Sequence, residues 1–151
     1  MVAPPSGTVT FLFTDVENST RLWEKSPESM EVSLRRHDAI LREAIEEHGG
    51  FVFKTVGDAF CATFPAASGA LQAALAAQEA LLSEPWEAQP DAPLRARMAL
   101  HTGAAQERDG DYFGPPSTGW RGCSRRLMAG RCSSLLRPRS WCEISYRRTR
   151  T

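Results

Sequence analysis

The spacing of hydrophobic and polar residues changes along the chain, and each change predicts a new element. Residues 7–16, GTVTFLFTDV, are β-branched and aromatic with an almost continuously apolar centre. This pattern is typical of a buried strand, and the strand ends at the carboxylate of Asp15. Residues 27–48 instead repeat their apolar side chains at helical spacing, with Pro27 in the first turn and two glycines after the end.

The remaining segments complete the predicted order β-α-α-β-β-α-β. The predicted elements are a short helix within 17–25, two strands within 51–64 joined by a turn at 56–58, an alanine- and leucine-rich helix over 66–83, an alternating strand over 94–105, and a turn into a final strand before residue 114. This order predicts an α+β fold, a ferredoxin-like sandwich with a mostly antiparallel sheet and its helices on one face.

The overall charge of zero conceals two regions of opposite character. The 151 residues suffice for one domain with a core of its own. Residues 1–116 carry nine basic and seventeen acidic side chains, whereas residues 117–151 carry nine arginines and a single acid, Glu143. A basic tail is typical of nucleic-acid binding. These arginines lack helical periodicity and an interleaved aromatic pattern, so no specific nucleic-acid partner is expected.

Cysteine usage and hydropathy predict a cytoplasmic protein. The N-terminus has no signal-peptide pattern and no apolar run is long enough to cross a membrane, so no membrane partner is expected. Cys61 lies in an apolar run and is predicted to be a core residue. The three tail cysteines have no spacing typical of a zinc site.

Two carboxylates are the first candidates for chemistry. Asp15 ends the first strand and Asp58 lies in the predicted hairpin turn, so a ferredoxin-like sheet would bring them to one edge. Paired carboxylates repel each other unless a cation lies between them, and Mg²⁺ is commonly held by one or two carboxylates and substrate phosphates. The stretch VENST after Asp15 offers backbone amides for a phosphate. The alternative is that Asp15 caps a helix and Asp58 only makes a turn.

Three motifs resemble the class III adenylate/guanylate cyclase catalytic domain of bacteria. GTVTFLFTDVENSTRLWE resembles the opening motif of that family, FKTVGDAFCATF its second motif and RMALHTGAAQERDGDYFGPP its third, in the family's order and spacing. The resemblance covers residues 7–116. It implies the class III nucleotidyl cyclase fold, incomplete at the C-terminus, and a domain over residues 1–116.

The resemblance also implies the roles of individual residues. Asp15, Asp58 and the backbone carbonyl of Val16 match the family's ligands for two Mg²⁺ or Mn²⁺ ions. Lys54 and Asp111 match the pair that recognises the purine of ATP or GTP. The implied reaction is attack of the ribose 3′-hydroxyl on the α-phosphate, which forms a cyclic 3′,5′-nucleotide and releases pyrophosphate. The implied assembly is a homodimer in which both chains contribute to each site.

The resemblance stops after Pro116. The family continues with a helix whose asparagine and arginine stabilise the transition state, but Thr118 and Gly122 occupy those two positions. Allowed codons for residues 117–122, read from the third base, encode Asn-Arg-Val-Ala-Arg. A single-base deletion after codon 116 therefore accounts for the tail, and residues 117–151 are expected to be an out-of-frame, poorly ordered segment.

Two functions from different classes follow from the sequence. The first is a cyclase domain that has lost most or all of its catalytic activity. The second is a non-catalytic module that binds a nucleotide or mediates dimerisation in signalling. An aspartyl-phosphate phosphatase is not supported, because Glu17 stands where that chemistry requires a second aspartate.

Overall fold

As far as residue 113, strands and helices follow one another in the order that the hydrophobic pattern predicts. A computed structural model describes residues 4–88, 93–113 and 141–144. Its strands are β1 (Gly7–Val16), β2 (Phe51–Val56), β3 (Ala59–Phe64), β4 (Ala96–Arg108), β5 (Asp111–Phe113) and β6 (Trp141–Ile144), and its helices are α1 (Ser19–Lys25), α2 (Pro27–Glu47) and α3 (Ala67–Ser83).

The strands form one antiparallel sheet in the order β2-β3-β1-β4-β5, and β6 also pairs with β4. β1 is central, with β3 on one side and β4 along its whole length on the other. This arrangement confirms the predicted α+β sandwich. β6 lies within the basic tail, where the sequence pattern predicts no strand, and the rest of the tail lies outside the described residues.

Helix α2 begins and ends where its sequence signals indicate. Pro27 occupies the first turn, and its fixed φ and missing amide hydrogen suit that position. The chain leaves the helix through Gly49, whose φ of +76° is strained for residues with a side chain, and the Gly50 amide donates to the Ile45 carbonyl at 2.8 Å. A Cβ at Gly50 would lie 2.5 Å from the Phe64 ring, so only glycine allows this close approach.

The main core lies between the sheet and the helices. Helix α3 presents a buried face of small residues, Ala70, Ala73, Ala74 and Ala77, which allows its backbone to approach the sheet closely. A side chain of the same helix, Gln78, donates a hydrogen bond from Nε2 to the Ala96 carbonyl at 2.9 Å. The start of β4 is thereby fixed against α3.

A second apolar cluster lies on the opposite face of the sheet. It comprises Val9, Phe11, Phe13, Cys61, Ala105 and Tyr112, with Phe51 and Phe53 packed against it. Its members come from five strands, and the Tyr112 ring contacts the Phe11 and Phe53 rings edge to face. We call this surface the helix-free face.

Candidate active site

Strand β1 places Asp15 on the helix-free face. Side chains alternate between the two faces of a strand. Leu12 and Val16 belong to the core under the helices, whereas Phe11 and Phe13 belong to the cluster on the opposite face. Asp15 follows Phe11 and Phe13 at intervals of two residues, so its side chain lies on the same face of the sheet as the two phenylalanines. Its carboxylate is therefore on the helix-free face, at the C-terminal end of β1.

The carboxylate of Asp15 is buried and paired with an arginine. Asp15 and Arg97 are register partners on β1 and β4, and the guanidinium donates to both carboxylate oxygens, from Nε to Oδ1 at 2.9 Å and from Nη2 to Oδ2 at 2.6 Å. The Asp15 side chain is 7% exposed. Burial raises the pKa of Asp15; Arg97 lowers it, and the nearby charges of Asp58 and Glu17 raise it further.

The β2–β3 hairpin brings Asp58 to the same end of β1. Gly57 has a φ of +58° and makes the tight turn possible. Asp58 accepts a hydrogen bond from the backbone amide of Val16, with 3.0 Å between the nitrogen and Oδ2. Val16 directly follows Asp15, so this hydrogen bond holds Asp58 beside the end of β1, and the charge of Asp58 contributes to the raised pKa of Asp15. The structure therefore places the two aspartates and Val16 next to one another.

Lys54 and Asp111 form a second pair of charged residues. Lys54 Nζ lies 4.0 Å from Asp111 Oδ2, and the side chains are 49% and 39% exposed. Lys54 comes from β2 and Asp111 from the short strand β5, so the pair depends on the β4–β5 hairpin turning toward β2. The sequence resemblance assigned these two residues to one recognition site, and the structure brings them together.

Lys54 and Asp111 adjoin the apolar cluster of the helix-free face through their neighbours Cys61 and Tyr112. Tyr112, next to Asp111, is fully buried; its hydroxyl donates to the Pro5 carbonyl at 2.8 Å and accepts from Thr63 Oγ1 at 3.1 Å. Cys61 is the register partner of Lys54. Burial raises the pKa of the Cys61 thiol to about 11, with Lys54 opposing and Asp111 reinforcing the shift. The thiol is therefore protonated and acts as an apolar residue at neutral pH.

The carboxylate pair suits a hard divalent cation. Mg²⁺ and Mn²⁺ prefer oxygen ligands. The buried carboxylate of Asp15 and the carboxylate of Asp58 in the β2–β3 turn offer such oxygens at the same end of β1. Within the described ranges, no cluster of three or more His, Cys, Asp or Glu side chains is arranged to hold a metal. Backbone carbonyls and substrate phosphates would have to supply the remaining ligands, in keeping with the part expected for Val16.

The sequence analysis did not identify Arg97 as a residue of the site. Arg97 lies in the alternating segment RARM, and the alternation assigns it to the face opposite Met98 without indicating its partner. Thr118 and Gly122, the residues at the expected asparagine and arginine positions, lie outside the described residues.

None of the helices in the described part of the chain is both long and apolar enough to cross a bilayer.

Comparison with known proteins identifies the family of this chain. Residues 1–107 match the model of the adenylate and guanylate cyclase catalytic domain. An uncharacterized protein of Mycobacterium tuberculosis is 45% identical over 114 residues, which are 74% of this chain and 37% of that protein. An adenylate cyclase of Neurospora crassa is 37% identical over 137 residues, covering 76% of this chain and 6% of the fungal protein.

Solved structures show the same fold. Adenylate cyclases from Trypanosoma brucei, solved in their monomeric state, match with a TM-score of 0.67 and 26% identity over 76% of this chain and 67% of theirs. An adenylate/guanylate cyclase/hydrolase from Silicibacter pomeroyi matches with a TM-score of 0.60 and 26% identity, covering 81% of this chain and 69% of that one. The chain belongs to the family of adenylate and guanylate cyclase catalytic domains. It spans little more than a third of the mycobacterial relative.

Proposed function

We propose that residues 1–116 form the metal- and nucleotide-binding part of a class III cyclase, which converts ATP or GTP to a cyclic 3′,5′-nucleotide and pyrophosphate. The observation that carries this proposal is the arrangement of two charged pairs on the helix-free face. Asp15 and Asp58 are adjacent at the end of β1, and Lys54 lies 4.0 Å from Asp111. The pairs offer a carboxylate site for cations and a cation–carboxylate pair for a purine edge.

Each residue has a role that follows from its chemistry. Asp15, Asp58 and the Val16 carbonyl would hold two Mg²⁺ or Mn²⁺ ions, which supply charge neutralisation for the triphosphate and a lowered pKa for the ribose 3′-hydroxyl. Lys54 donates hydrogen bonds only, whereas the Asp111 carboxylate accepts them. A purine edge that carries both an acceptor and an amino donor satisfies this pair, and adenine has such an edge.

We further propose that the active form is a homodimer, in which Asp15 and Asp58 of one chain and Lys54 and Asp111 of the other complete each site. The partial exposure of Lys54 and Asp111 supports this arrangement, because both side chains remain accessible to a neighbouring chain. A mixture of two inactive variants tests it sharply. In a mixed dimer of Asp15→Asn and Lys54→Ala chains, one site carries both changes and the other carries none.

This chain itself is proposed to be catalytically inactive. Thr118 and Gly122 supply neither the amide donor nor the guanidinium that the family places beside the α-phosphate. Loss of one such donor costs about 10²–10³ in rate, and loss of a transition-state arginine costs about 10³–10⁵. The alternative function, a non-catalytic nucleotide-binding or dimerisation module, shares the same metal and purine contacts and differs only in turnover.

The test compares the chain with a version whose reading frame is restored after codon 116 and continued into the downstream coding sequence. With ATP or GTP and Mn²⁺, we expect no cyclic nucleotide from the present chain and clear production from the restored one. Within the restored protein, Asp15→Asn and Lys54→Ala should each be inactive, and an equal mixture should regain about a quarter of the activity. Turnover by the unrestored chain, or no activity in the restored one, would contradict the proposal.

A further inference from the structure

Arg97 occupies the carboxylate that the proposed metal site needs. Its fork covers both oxygens of Asp15, at 2.9 Å from Nε to Oδ1 and at 2.6 Å from Nη2 to Oδ2. A planar guanidinium bound in this way is the strongest common partner of a carboxylate. The Arg97 side chain is 27% exposed and the Asp15 side chain 7%, so the carboxylate is the more deeply buried member of the pair.

The position of Arg97 conflicts with a divalent cation on the same carboxylate. A Mg²⁺ ion bound to a carboxylate oxygen lies about 2.0–2.1 Å from it, and the guanidinium hydrogens already occupy one lone pair of each Asp15 oxygen. A full positive charge fixed against both oxygens also repels an incoming cation, and the partial burial of the pair weakens solvent screening. A metal ion and the bidentate contact of Arg97 therefore compete for Asp15.

We propose that Arg97 is an internal counter-ion that closes the Asp15 side of the metal site until a divalent cation displaces it. This inference rests on the proposed metal-binding function of Asp15 and Asp58. In the metal-free protein Arg97 compensates a buried negative charge that also lies near Asp58 and Glu17. On metal binding the cation takes over that compensation, and the guanidinium moves outward toward solvent.

If Arg97 instead supports Asp15 as a metal ligand, the predicted change in metal affinity has the opposite sign. If Arg97 served only to orient Asp15 for the metal, its removal would weaken metal binding, as the loss of a supporting contact usually does. If Arg97 competes with the metal, its removal strengthens metal binding. The sign of the change in affinity therefore distinguishes an internal counter-ion from a structural support.

The experiment measures Mn²⁺ affinity by calorimetry without nucleotide, at pH 8. We expect Arg97→Met to bind Mn²⁺ about tenfold more tightly than the natural chain, because hydrogen bonds to charged groups are worth at least the free energy of a factor of ten. Arg97→Lys keeps the positive charge but cannot make the bidentate contact, so its Mn²⁺ affinity should lie between those of the natural chain and Arg97→Met. Arg95→Met is the matched control. It removes the same charge two residues away, at an exposed residue whose backbone carbonyl accepts a hydrogen bond from the Glu17 amide.

A second measurement on the natural chain does not depend on the folding of a variant. The Arg97 Nε–H signal in a nitrogen-15 NMR spectrum should shift when saturating Mg²⁺ breaks its hydrogen bond to Asp15. Unchanged or weaker Mn²⁺ binding by Arg97→Met, or an Arg97 signal that Mg²⁺ leaves in place, would overturn the counter-ion role alone. Absence of metal binding in every variant would overturn the metal site itself, and the counter-ion role with it.

Discussion

Replacing Asp15 by asparagine tests whether the negative charge of Asp15 destabilises the folded protein when no metal is bound. Asparagine keeps the shape of the side chain and removes its charge. Burial and the neighbouring charge of Asp58 raise the pKa of Asp15 in spite of Arg97. The folded state therefore binds a proton more readily than the unfolded state, and the ionised form of Asp15 lowers the stability of the metal-free protein.

The sign of the pH dependence follows from the raised pKa. The stability contributed by Asp15 is largest when the carboxyl is protonated, below its ordinary pKa of 3.8, and is lost as pH rises from 3.8 through the raised value. The natural chain should therefore lose stability relative to Asp15→Asn across this window. At pH 7 without metal, the variant should be at least as stable as the natural chain.

Metal binding should make the natural chain more stable than Asp15→Asn. A cation present at 100 times its dissociation constant stabilises the folded state by about 2.7 kcal/mol. For a protein of this size that gain corresponds to a rise in melting temperature of about 5–11 °C. The Asp15→Asn variant should show almost none of it, because one of the two carboxylates is lost.

The assay is thermal unfolding at pH 7, followed by circular dichroism with and without saturating Mg²⁺ or Mn²⁺. Asp109→Asn is the matched control. It makes the same change at an exposed turn residue with a φ of +53°, a conformation that asparagine tolerates well. The control should keep the full metal-induced shift. An equal shift in Asp15→Asn would refute the assignment of Asp15 as a metal ligand.

Two further predictions concern the helix-free face. Tyr112→Phe should lower the free energy of unfolding by about 1–3 kcal/mol in urea, because Thr63 and the Pro5 carbonyl lose their shared partner. Thr63→Val in the same background should recover part of that loss, and full stability of the single variant would contradict the network. Between pH 9 and pH 11 the natural chain should lose up to about 2.7 kcal/mol relative to Cys61→Ala, because the unfolded thiol ionises near 9.0 and the folded one at about 11. Parallel pH profiles of the two proteins would refute this.

The order of elements was predictable because local signals and the tertiary fold agree. Pro27 begins α2, two glycines follow it, and Gly57 forms the β2–β3 turn. The end of β4 was less accessible from sequence. The alternating pattern predicts a strand that ends near residue 105, whereas β4 continues to Arg108 because its last residues pair with β5. Strand pairing over a long sequence distance, rather than local pattern, extends this element.

The sequence alone indicated the four charged residues of the proposed site to different degrees. Their places at a strand end and in a hairpin turn made Asp15 and Asp58 a candidate cation site, but left open the ordinary roles of a helix cap and a turn residue. Lys54 and Asp111 were singled out only by the resemblance. In the structure, Asn18 rather than Asp15 occupies the N-cap position of α1, and Asp58 accepts a hydrogen bond from the backbone amide of Val16 on β1. The contact between Lys54 and Asp111 joins residues 57 positions apart in sequence. Such a contact depends on the β4–β5 hairpin, which the motif order implies and residue composition does not.

Arg97 shows what sequence patterns leave undetermined. Alternation fixes the face of a strand to which a side chain points, but not the residue across from it. The contact with Asp15 requires the antiparallel register in which Thr14 pairs with Met98 and Asp15 with Arg97. A slip of one residue would turn Arg97 toward the helices, where Leu12 and Val16 lie, and would leave Asp15 without its cation. The β1–β4 register therefore sets both the apolar core on one face and the charge balance of the site on the other.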